Sequence, residues 1–308
     1  MNLFRRLSEF PDSLRGGALT IGNFDGVHQG HSAIIQRLKQ HAQIVGGAAI
    51  VFTFDPHPVR LLRPEQTPPP LTWTNRKADL LFEQGIDAMV AFPTTKEFLQ
   101  LSYQEFFDQI VVQSIGAKAM IEGPNFYFGR NREGDVSTLK KLCDANDIEL
   151  EIVKPMKEGD QYISSSRIRN LISQGQVITA GEMLSKPYRI RGMVTHGAAR
   201  GARIGFPTAN LEAVDTLIPG EGVYAGFAIV SGNRHPAAIN IGPNPTFGEL
   251  LNKVEVHVLD FAESIYGQAI EVDFVEKLRD IRQFNSTEQL QEQLRKDIDS
   301  VRRISEYV

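Results

Sequence analysis

The chain has 308 residues, of which 42% are hydrophobic and 23% charged, and its formal net charge is -4. This composition is close to the globular average and excludes a fibrous or disordered protein, while the length predicts two domains of about 150 residues each. A pI of about 6.0 argues against a general nucleic-acid binder, because such proteins carry a basic surplus that displaces counterions from phosphates.

The sequence also predicts a cellular location. Its single cysteine, Cys143, cannot form an internal disulfide and lies in a helical pattern, where a buried and inert thiol is expected. Charge and proline rather than an apolar segment follow the first residues, and no window approaches the roughly 18 apolar residues that span a bilayer. We therefore expect a cytoplasmic protein without membrane contact, and the sequence leaves open whether it forms a homo-oligomer.

The first half of the chain alternates short β-rich runs with helical patterns. The predicted strands are Ala18–Ile21, Ala48–Phe54, Ile86–Phe92, Lys118–Ile121 and Ile148–Val153. Helices are predicted after His31, at Arg76–Gln84, after the capping box of Ser102 and Glu105, and at Val136–Asp144. This alternation predicts a doubly wound, Rossmann-like parallel sheet, in which ligands bind at the carboxyl ends of the strands.

The second half has a different pattern. Two short helical segments end near Lys186, where short strands separated by glycine and proline begin, so we place a domain boundary between residues 185 and 186. The predicted strands are Tyr188–Thr195, Gly222–Val230, Pro236–Ile241, Val254–Phe261 and Ala269–Leu278. They predict a small antiparallel barrel or sandwich. A C-terminal helix, capped by Ser286, is expected to pack against it with the stripe Leu290, Leu294, Ile298 and Val301.

A glycine-rich run from Gly22 to His31 follows the first predicted strand. Its glycines let the backbone approach a ligand, and the helix start behind them presents free N–H groups, which is the geometry of a phosphate site. The imidazoles of His28 and His31 can donate hydrogen bonds to a triphosphate and stabilise the charge that develops as pyrophosphate leaves. A metal site is the alternative, but no suitable third ligand stands nearby.

Three further polar segments follow predicted strands at the same edge of the sheet. They contain Asp55, His57, Asn125, Ser164, Ser165 and Arg167. The two serines can cap the helix that follows them. Arg167 falls in the first turn of that helix, where a cation opposes the helix dipole, and a bound phosphate would remove this conflict.

The second half carries a glycine-rich loop, Gly197 to Gly205, that includes Arg200 and can fold over a polyphosphate. The string Gly-Phe-Pro-Thr-Ala-Asn follows, and its chance frequency is roughly 10⁻⁸ per start position. Thr208 and Asn210 are two residues apart on an extended segment, so they point the same way and can share one Mg²⁺.

One strand of the second half combines apolar and polar residues in alternation. This pattern places Glu255 and His257 on one face and Val254, Val256 and Val258 on the other. A strand carboxylate that faces a nucleotide loop is suited to accept the proton of a substrate hydroxyl as the hydroxyl attacks the γ-phosphate. Glu255 is therefore the predicted catalytic base, and a solvent-facing strand position is the alternative.

These motifs together resemble a known family. The Gly-x-Phe-Asp-Gly-x-His-x-Gly-His run and Ile-Ser-Ser-x-Arg resemble HIGH-type nucleotidylyltransferases, and Asp-Pro-His-Pro narrows the resemblance to the adenylyltransferase half of the bacterial bifunctional riboflavin kinase/FAD synthetases. Gly-Phe-Pro-Thr-Ala-Asn resembles the riboflavin kinase motif of the same family. The resemblance covers about residues 15–285 and implies that riboflavin is phosphorylated to FMN, which is then adenylylated to FAD, with ATP and Mg²⁺.

The resemblance also implies roles for individual residues. For the adenylyltransferase it implies ATP contacts from Gly22, Phe24, Asp25, His28, His31, Ser164, Ser165 and Arg167. The FMN contacts implied there are Asp55, His57, Asn125 and Phe128. For the kinase it implies ATP contacts from Gly197, Arg200, Gly205, Pro207 and Thr208. The implied Mg²⁺ ligands are Thr208 and Asn210, and the implied flavin contacts are Glu255 and Arg279.

Two positions depart from the family pattern. Tyr127 and Ala202 stand where many members have arginine. Two rival functions also remain open at the level of sequence. One is an adenylyltransferase for another phosphorylated metabolite, regulated by a flavin-binding barrel, and the other is a flavin-sensing module without turnover.

Overall fold

The computed structural model describes residues 2–197, 200–244 and 249–307, and the chain forms two compact units. The first unit comprises Met1–Pro68 and Trp73–Ser164, and the second comprises Pro69–Thr72 and Ser165–Val308. The division between the two units, after Ser164, therefore falls earlier in the chain than the predicted boundary between residues 185 and 186.

A six-stranded parallel sheet forms the first unit. Its strands are β1 (Leu3–Phe4), β2 (Ala18–Ile21), β3 (Ala49–Phe54), β4 (Ala88–Phe92), β5 (Ala119–Glu122) and β6 (Glu149–Ile152). The strand order β1-β4-β3-β2-β5-β6 reverses direction between β2 and β5, so a ligand crevice is expected there. The predicted doubly wound sheet is confirmed, and the short edge strand β1 was missed.

Apolar side chains cover both faces of this sheet. Leu19 and Ile50 belong to one core cluster, while Ala18 and Val51 belong to the other, as expected for neighbours that point to opposite faces of a strand. The covering helices are α1 (Gln29–Val45), α2 (Pro58–Leu62), α3 (Thr74–Glu83), α4 (Tyr103–Phe106), which continues as a π-helical segment (Phe107–Ile115), and α5 (Val136–Ala145).

Local signals in the sequence determine where several of these helices begin and end. The capping box of Ser102 and Glu105 starts α4 as predicted, and Gly85 follows α3 with a φ of 85°, which favours glycine. Cys143 is buried on α5, and burial raises the pKa of its thiol to about 12. The predicted burial of the thiol is confirmed.

The second unit is a closed six-stranded antiparallel barrel with strand order β10-β13-β12-β11-β14-β9. Its strands are β9 (Tyr188–Thr195), β10 (Ala209–Glu212), β11 (Gly222–Val230), β12 (Asn233–Asn244), β13 (Glu249–Val258) and β14 (Ala269–Arg279). A two-stranded hairpin of β7 (Lys157–Glu158) and β8 (Gln161–Tyr162) lies in the first unit. The predicted barrel is confirmed, although β10 was missed.

The described residues of the second unit form four helices. They are α6 (Ser165–Ser173), α7 (Val177–Leu184), α8 (Arg200–Arg203) and α9 (Thr287–Ser305). Ser286 caps α9 by accepting a hydrogen bond from the backbone N–H of Gln289 at 3.3 Å. Val301 of α9 packs against Ala225 and Leu259, and Ile298 packs against the same cluster, so two of the four residues of the predicted stripe contact the barrel core.

Candidate active sites

A cavity of about 660 Å³ opens at the carboxyl ends of β2, β3 and β5, where the strand order reverses. Its walls include seven of the predicted site residues, namely Gly22, Phe24, His28, His31, His57, Asn125 and Phe128. These residues are far apart in the chain, and the parallel topology brings them to one place. The crevice expected from the fold therefore holds part of the predicted site.

Two stacked imidazoles stand at the N-terminus of α1. The ring centroids of His28 and His31 are 3.7 Å apart, and the ring planes differ by 15°. Burial, His28 and Lys77 together hold the pKa of His31 well below its ordinary value. Among the described residues, Nδ1 of His31 has no hydrogen-bond partner. The arrangement suits a polyanion, which would supply both a partner and the charge that favours protonation.

The buried side chain of Lys77 contacts the backbone of the glycine-rich turn. Nζ of Lys77, on α3, donates a hydrogen bond to the carbonyl of Asn23 at 2.6 Å and lies 3.5 Å from Oγ1 of Thr53. Burial lowers the pKa of Lys77. Sequence analysis missed this residue, because a helical lysine ordinarily keeps its ammonium group in water.

The predicted FMN-side residues take two different positions. His57 lines the cavity, and its Nδ1 accepts a hydrogen bond from the backbone N–H of Val59 at 3.1 Å, which caps α2. Asp55 does not line the cavity. Its carboxylate accepts a hydrogen bond from Oγ1 of Thr74 at 2.6 Å and lies 3.5 Å from the guanidinium of Arg5.

Four of the predicted ATP contacts also lie outside the cavity wall, namely Asp25, Ser164, Ser165 and Arg167. Ser164 is the last residue of the first unit, and α6 begins the second unit directly after it. Ile163 does line the cavity, and a Cβ added at Gly30 would lie 3.4 Å from its carbonyl oxygen. Nucleotide contacts from the two serines, Arg167 and Asp25 stay predictions.

Glu122 ends β5 and lines the cavity, although Glu122 is only 2% exposed to solvent. Its Oε1 accepts a hydrogen bond from the backbone N–H of Ile21 at 2.7 Å. The ladder between β2 and β5 ends at Leu19 and Met120, so the carboxyl group links the two strands where they separate. Burial raises the pKa of Glu122 well above its usual range. Sequence analysis missed it, and a glutamate that ends an apolar strand was the available signal.

We expect Glu122→Gln to stabilise the first unit increasingly as the pH rises. The folded-state pKa of Glu122 lies above the unfolded-state value of about 4.3, so its contribution to stability is fully present below that value and is lost as the pH rises through the folded pKa. Glutamine keeps an oxygen that can accept the Ile21 hydrogen bond and carries no charge. Urea unfolding followed by the fluorescence of Trp73 at several pH values measures the difference.

Glu65→Gln provides the control for this experiment, because Glu65 is exposed. It should leave the free energy of unfolding unchanged relative to the wild type across the same pH range. A Glu122→Gln variant whose advantage does not grow between about pH 4 and pH 8 would contradict the burial-driven shift.

The barrel gathers the second set of predicted residues on one face. Asn210, Glu255 and Asn240 lie in register across β10, β13 and β12, and Nδ2 of Asn240 donates to Oε2 of Glu255 at 3.4 Å. His257 shares this face, and its Nδ1 lies 2.7 Å from the carbonyl of Pro207, to which it donates. The predicted alternation on β13 is confirmed by burial of the valines. Sequence analysis missed Asn240.

Two glycines of the glycine-rich loop lie close to Asn210 and Thr208. A Cβ at Gly197 would lie 2.1 Å from Nδ2 of Asn210, and a Cβ at Gly201 would lie 3.4 Å from Oγ1 of Thr208. Gly205 has a φ of 88°, in the left-handed region that favours glycine. The predicted phosphate contact of Arg200 concerns a side chain outside the described residues.

Arg279 is held by an ion pair. Its Nε and Nη2 atoms lie 2.8–3.2 Å from the carboxylate of Asp297 on α9, and the Asp297 side chain is 5% exposed. This ion pair links α9 to the end of β14. The predicted flavin contact of Arg279 stays a prediction.

Family comparisons agree with this two-part architecture. A sequence model described as FAD synthetase matches residues 10–167, and one described as riboflavin kinase matches residues 184–305. The parallel-sheet unit and the barrel therefore define a two-domain transferase of flavin nucleotides.

Curated relatives match over nearly the whole chain. Bifunctional riboflavin kinase/FMN adenylyltransferases from Escherichia coli K12 and Listeria monocytogenes are 34% and 38% identical to it, over 94% and 91% of this chain and 93% and 89% of theirs. The chain belongs to the bifunctional riboflavin kinase/FMN adenylyltransferase family.

One solved structure resembles the whole chain. A protein from Streptococcus pneumoniae, described as a macrolide-efflux protein, has a TM-score of 0.86 and 30% identity, covering 97% of this chain and 98% of that one. The efflux description applies to that protein. Within the described part of the present chain, no helix combines the length and apolar character needed to cross a membrane.

Proposed function

We propose that the barrel phosphorylates riboflavin and that the first unit adenylylates the FMN so formed. Two separate built sites carry this proposal. One is the cavity with the stacked pair of His28 and His31, and the other is the barrel face where Asn210 and Glu255 lie in register under a glycine-rich loop. Membership of the bifunctional family supports both activities.

In the kinase reaction the ribityl 5′-hydroxyl of riboflavin attacks the γ-phosphorus of ATP, and ADP leaves. Glu255 accepts the hydroxyl proton, and its hydrogen bond from Asn240 orients the carboxylate. His257 holds the segment at Pro207 through the carbonyl contact, so Thr208 is presented at a fixed position. Positioning and charge neutralisation provide most of the catalysis in such reactions, and no protein nucleophile is needed.

Thr208 and Asn210 would hold Mg²⁺ at the kinase site. Hydroxyl and amide oxygens are ligands of the kind that Mg²⁺ prefers, and the Glu255 carboxylate lies in register with Asn210. The donor set therefore fits a hard cation. When bound, the ion would neutralise part of the phosphate charge.

In the adenylyltransferase reaction a phosphate oxygen of FMN attacks the α-phosphorus of ATP. The bond from that phosphorus to the bridging oxygen breaks, and pyrophosphate leaves. His28 and His31, at the N-terminus of α1, stabilise the charge that grows on the leaving group. Asn125 and Phe128, which line the same cavity after β5, contact FMN.

We propose ATP, riboflavin and FMN as small-molecule partners, a cytoplasmic location and no nucleic-acid partner, in keeping with the pI of about 6.0. The matches to the two families end at residue 167 and resume at residue 184, so the functional boundary that the sequence pattern places between residues 185 and 186 falls just after the start of the riboflavin kinase match.

Chromatography of flavin products tests the proposal directly. With Mg²⁺ and ATP, riboflavin should give FMN and then FAD, and added FMN should give FAD. An adenylyltransferase for another metabolite would consume no ATP with riboflavin alone. A flavin sensor would bind flavin tightly and form no product.

A further inference from the structure

The wall of the first-unit cavity carries a guanidinium stacked on an aromatic ring. Tyr127 and Arg132 both line the cavity, and Cζ of Arg132 lies 4.3 Å from the centroid of the Tyr127 ring. Tyr127 is 47% exposed. A cation–π contact of this kind restricts an otherwise flexible arginine without neutralising its charge.

A tight turn holds Arg132 in this position. Asn131 and Arg132 have φ values of 53° and 61°, a left-handed conformation that non-glycine residues rarely adopt. The N–H of Arg132 donates to the carbonyl of Gly129 at 3.1 Å, and Phe128 and Gly134 form an antiparallel bridge around the turn. Strained backbone that the surroundings maintain in this way is concentrated at ligand sites.

The charge of Arg132 is available to a ligand. Arg130, two residues earlier, lies 3.7 Å from the carboxylate of Glu133. Arg132 forms no ion pair with any residue in the described ranges 2–197, 200–244 and 249–307. Two neighbouring arginines on one turn thus differ, because one is paired with a carboxylate and the other lines the cavity.

We propose that Arg132 binds the phosphate monoester of FMN and makes the adenylyltransferase site select FMN over riboflavin. The proposal rests on the proposed adenylyltransferase function. A guanidinium matches two phosphate oxygens at once, and the proposed FMN contacts Asn125 and Phe128 line the same cavity as Arg132. The Tyr127 ring holds the Arg132 guanidinium against the cavity wall.

Steady-state kinetics of FAD formation from FMN test this role. Arg132→Gln should raise the KM for FMN by about tenfold to a hundredfold, the range expected for a lost hydrogen bond to a charged group. The KM for ATP and the rate of riboflavin phosphorylation should stay at wild-type values. Arg132→Lys, which keeps the charge but loses the planar fork, should fall between the two.

Arg130→Gln is the matched control, because it removes the same charge from the same turn at a residue that does not line the cavity. Its KM for FMN should equal the wild-type value. Trp73 fluorescence reports whether the first unit is folded in each variant. An equal rise in both glutamine variants, or a rise only in the KM for ATP, would overturn the assignment. Wild-type protein that forms no FAD would instead refute the proposed function.

Discussion

Glu255→Ala should abolish FMN formation from riboflavin while FAD formation from added FMN continues at the wild-type rate. A general base contributes roughly 10²–10⁴ to a rate, so the kinase rate should fall by about that factor. The two reactions separate because Glu255 lies in the barrel unit and the imidazole pair lies in the sheet unit. Chromatography of flavins with riboflavin or FMN as the starting substrate measures both reactions.

Glu255→Gln tests the role of the carboxylate as proton acceptor separately from its volume and its hydrogen bond. Glutamine has nearly the same volume and keeps an oxygen for the hydrogen bond from Asn240, but it cannot accept the hydroxyl proton. The kinase should therefore lose as much activity as in the alanine variant. Glu276→Gln replaces another half-buried strand glutamate of the same barrel and should leave both reactions unchanged. Loss of FAD formation from added FMN in a Glu255 variant would show that the sites are not independent.

Strand patterns in the sequence determined much of the fold. The predicted bounds of Tyr188–Thr195 and Gly222–Val230 match β9 and β11 in residue number. Burial alternates along β9, whereas β11 is a continuous apolar run bounded by turn residues. Two short strands escaped prediction. Leu3–Phe4 has only two residues, which is too few for a period to be recognised. Ala209–Glu212 has four, and sequence analysis placed Asn210 on an extended segment without assigning a strand there.

Some residues of the first-unit site could be predicted from the sequence, and others could not. His28, His57 and Asn125 follow strands, so the parallel topology alone brings them to one edge. Glu122 and Lys77 acquire their positions from partners 101 and 54 residues away, the backbone groups of Ile21 and Asn23. No local pattern encodes such contacts, and only the folded chain shows them.

His31→Ala should remove FAD formation and leave riboflavin phosphorylation intact. The loss of one preorganised donor to a developing charge costs about 10²–10³ in kcat, and the stacked ring of His28 also loses its neighbour. His235→Ala removes a histidine from β12 of the barrel and serves as the control, with both reactions unchanged. FAD formation that persists at the wild-type rate in His31→Ala would contradict the assigned role.

Proton uptake provides an independent test of the same residue. Burial, His28 and Lys77 lower the pKa of His31, so the imidazole is neutral at neutral pH before ATP binds. A nearby triphosphate favours the charged form and raises that pKa, so ATP binding should take up protons, increasingly as the pH falls toward about 6.5. Calorimetry in buffers of different ionisation enthalpy measures this uptake. ATP binding at the barrel contributes equally in His31→Ala, so the difference between the two proteins isolates His31, and equal uptake in both would show that His31 does not face the phosphates.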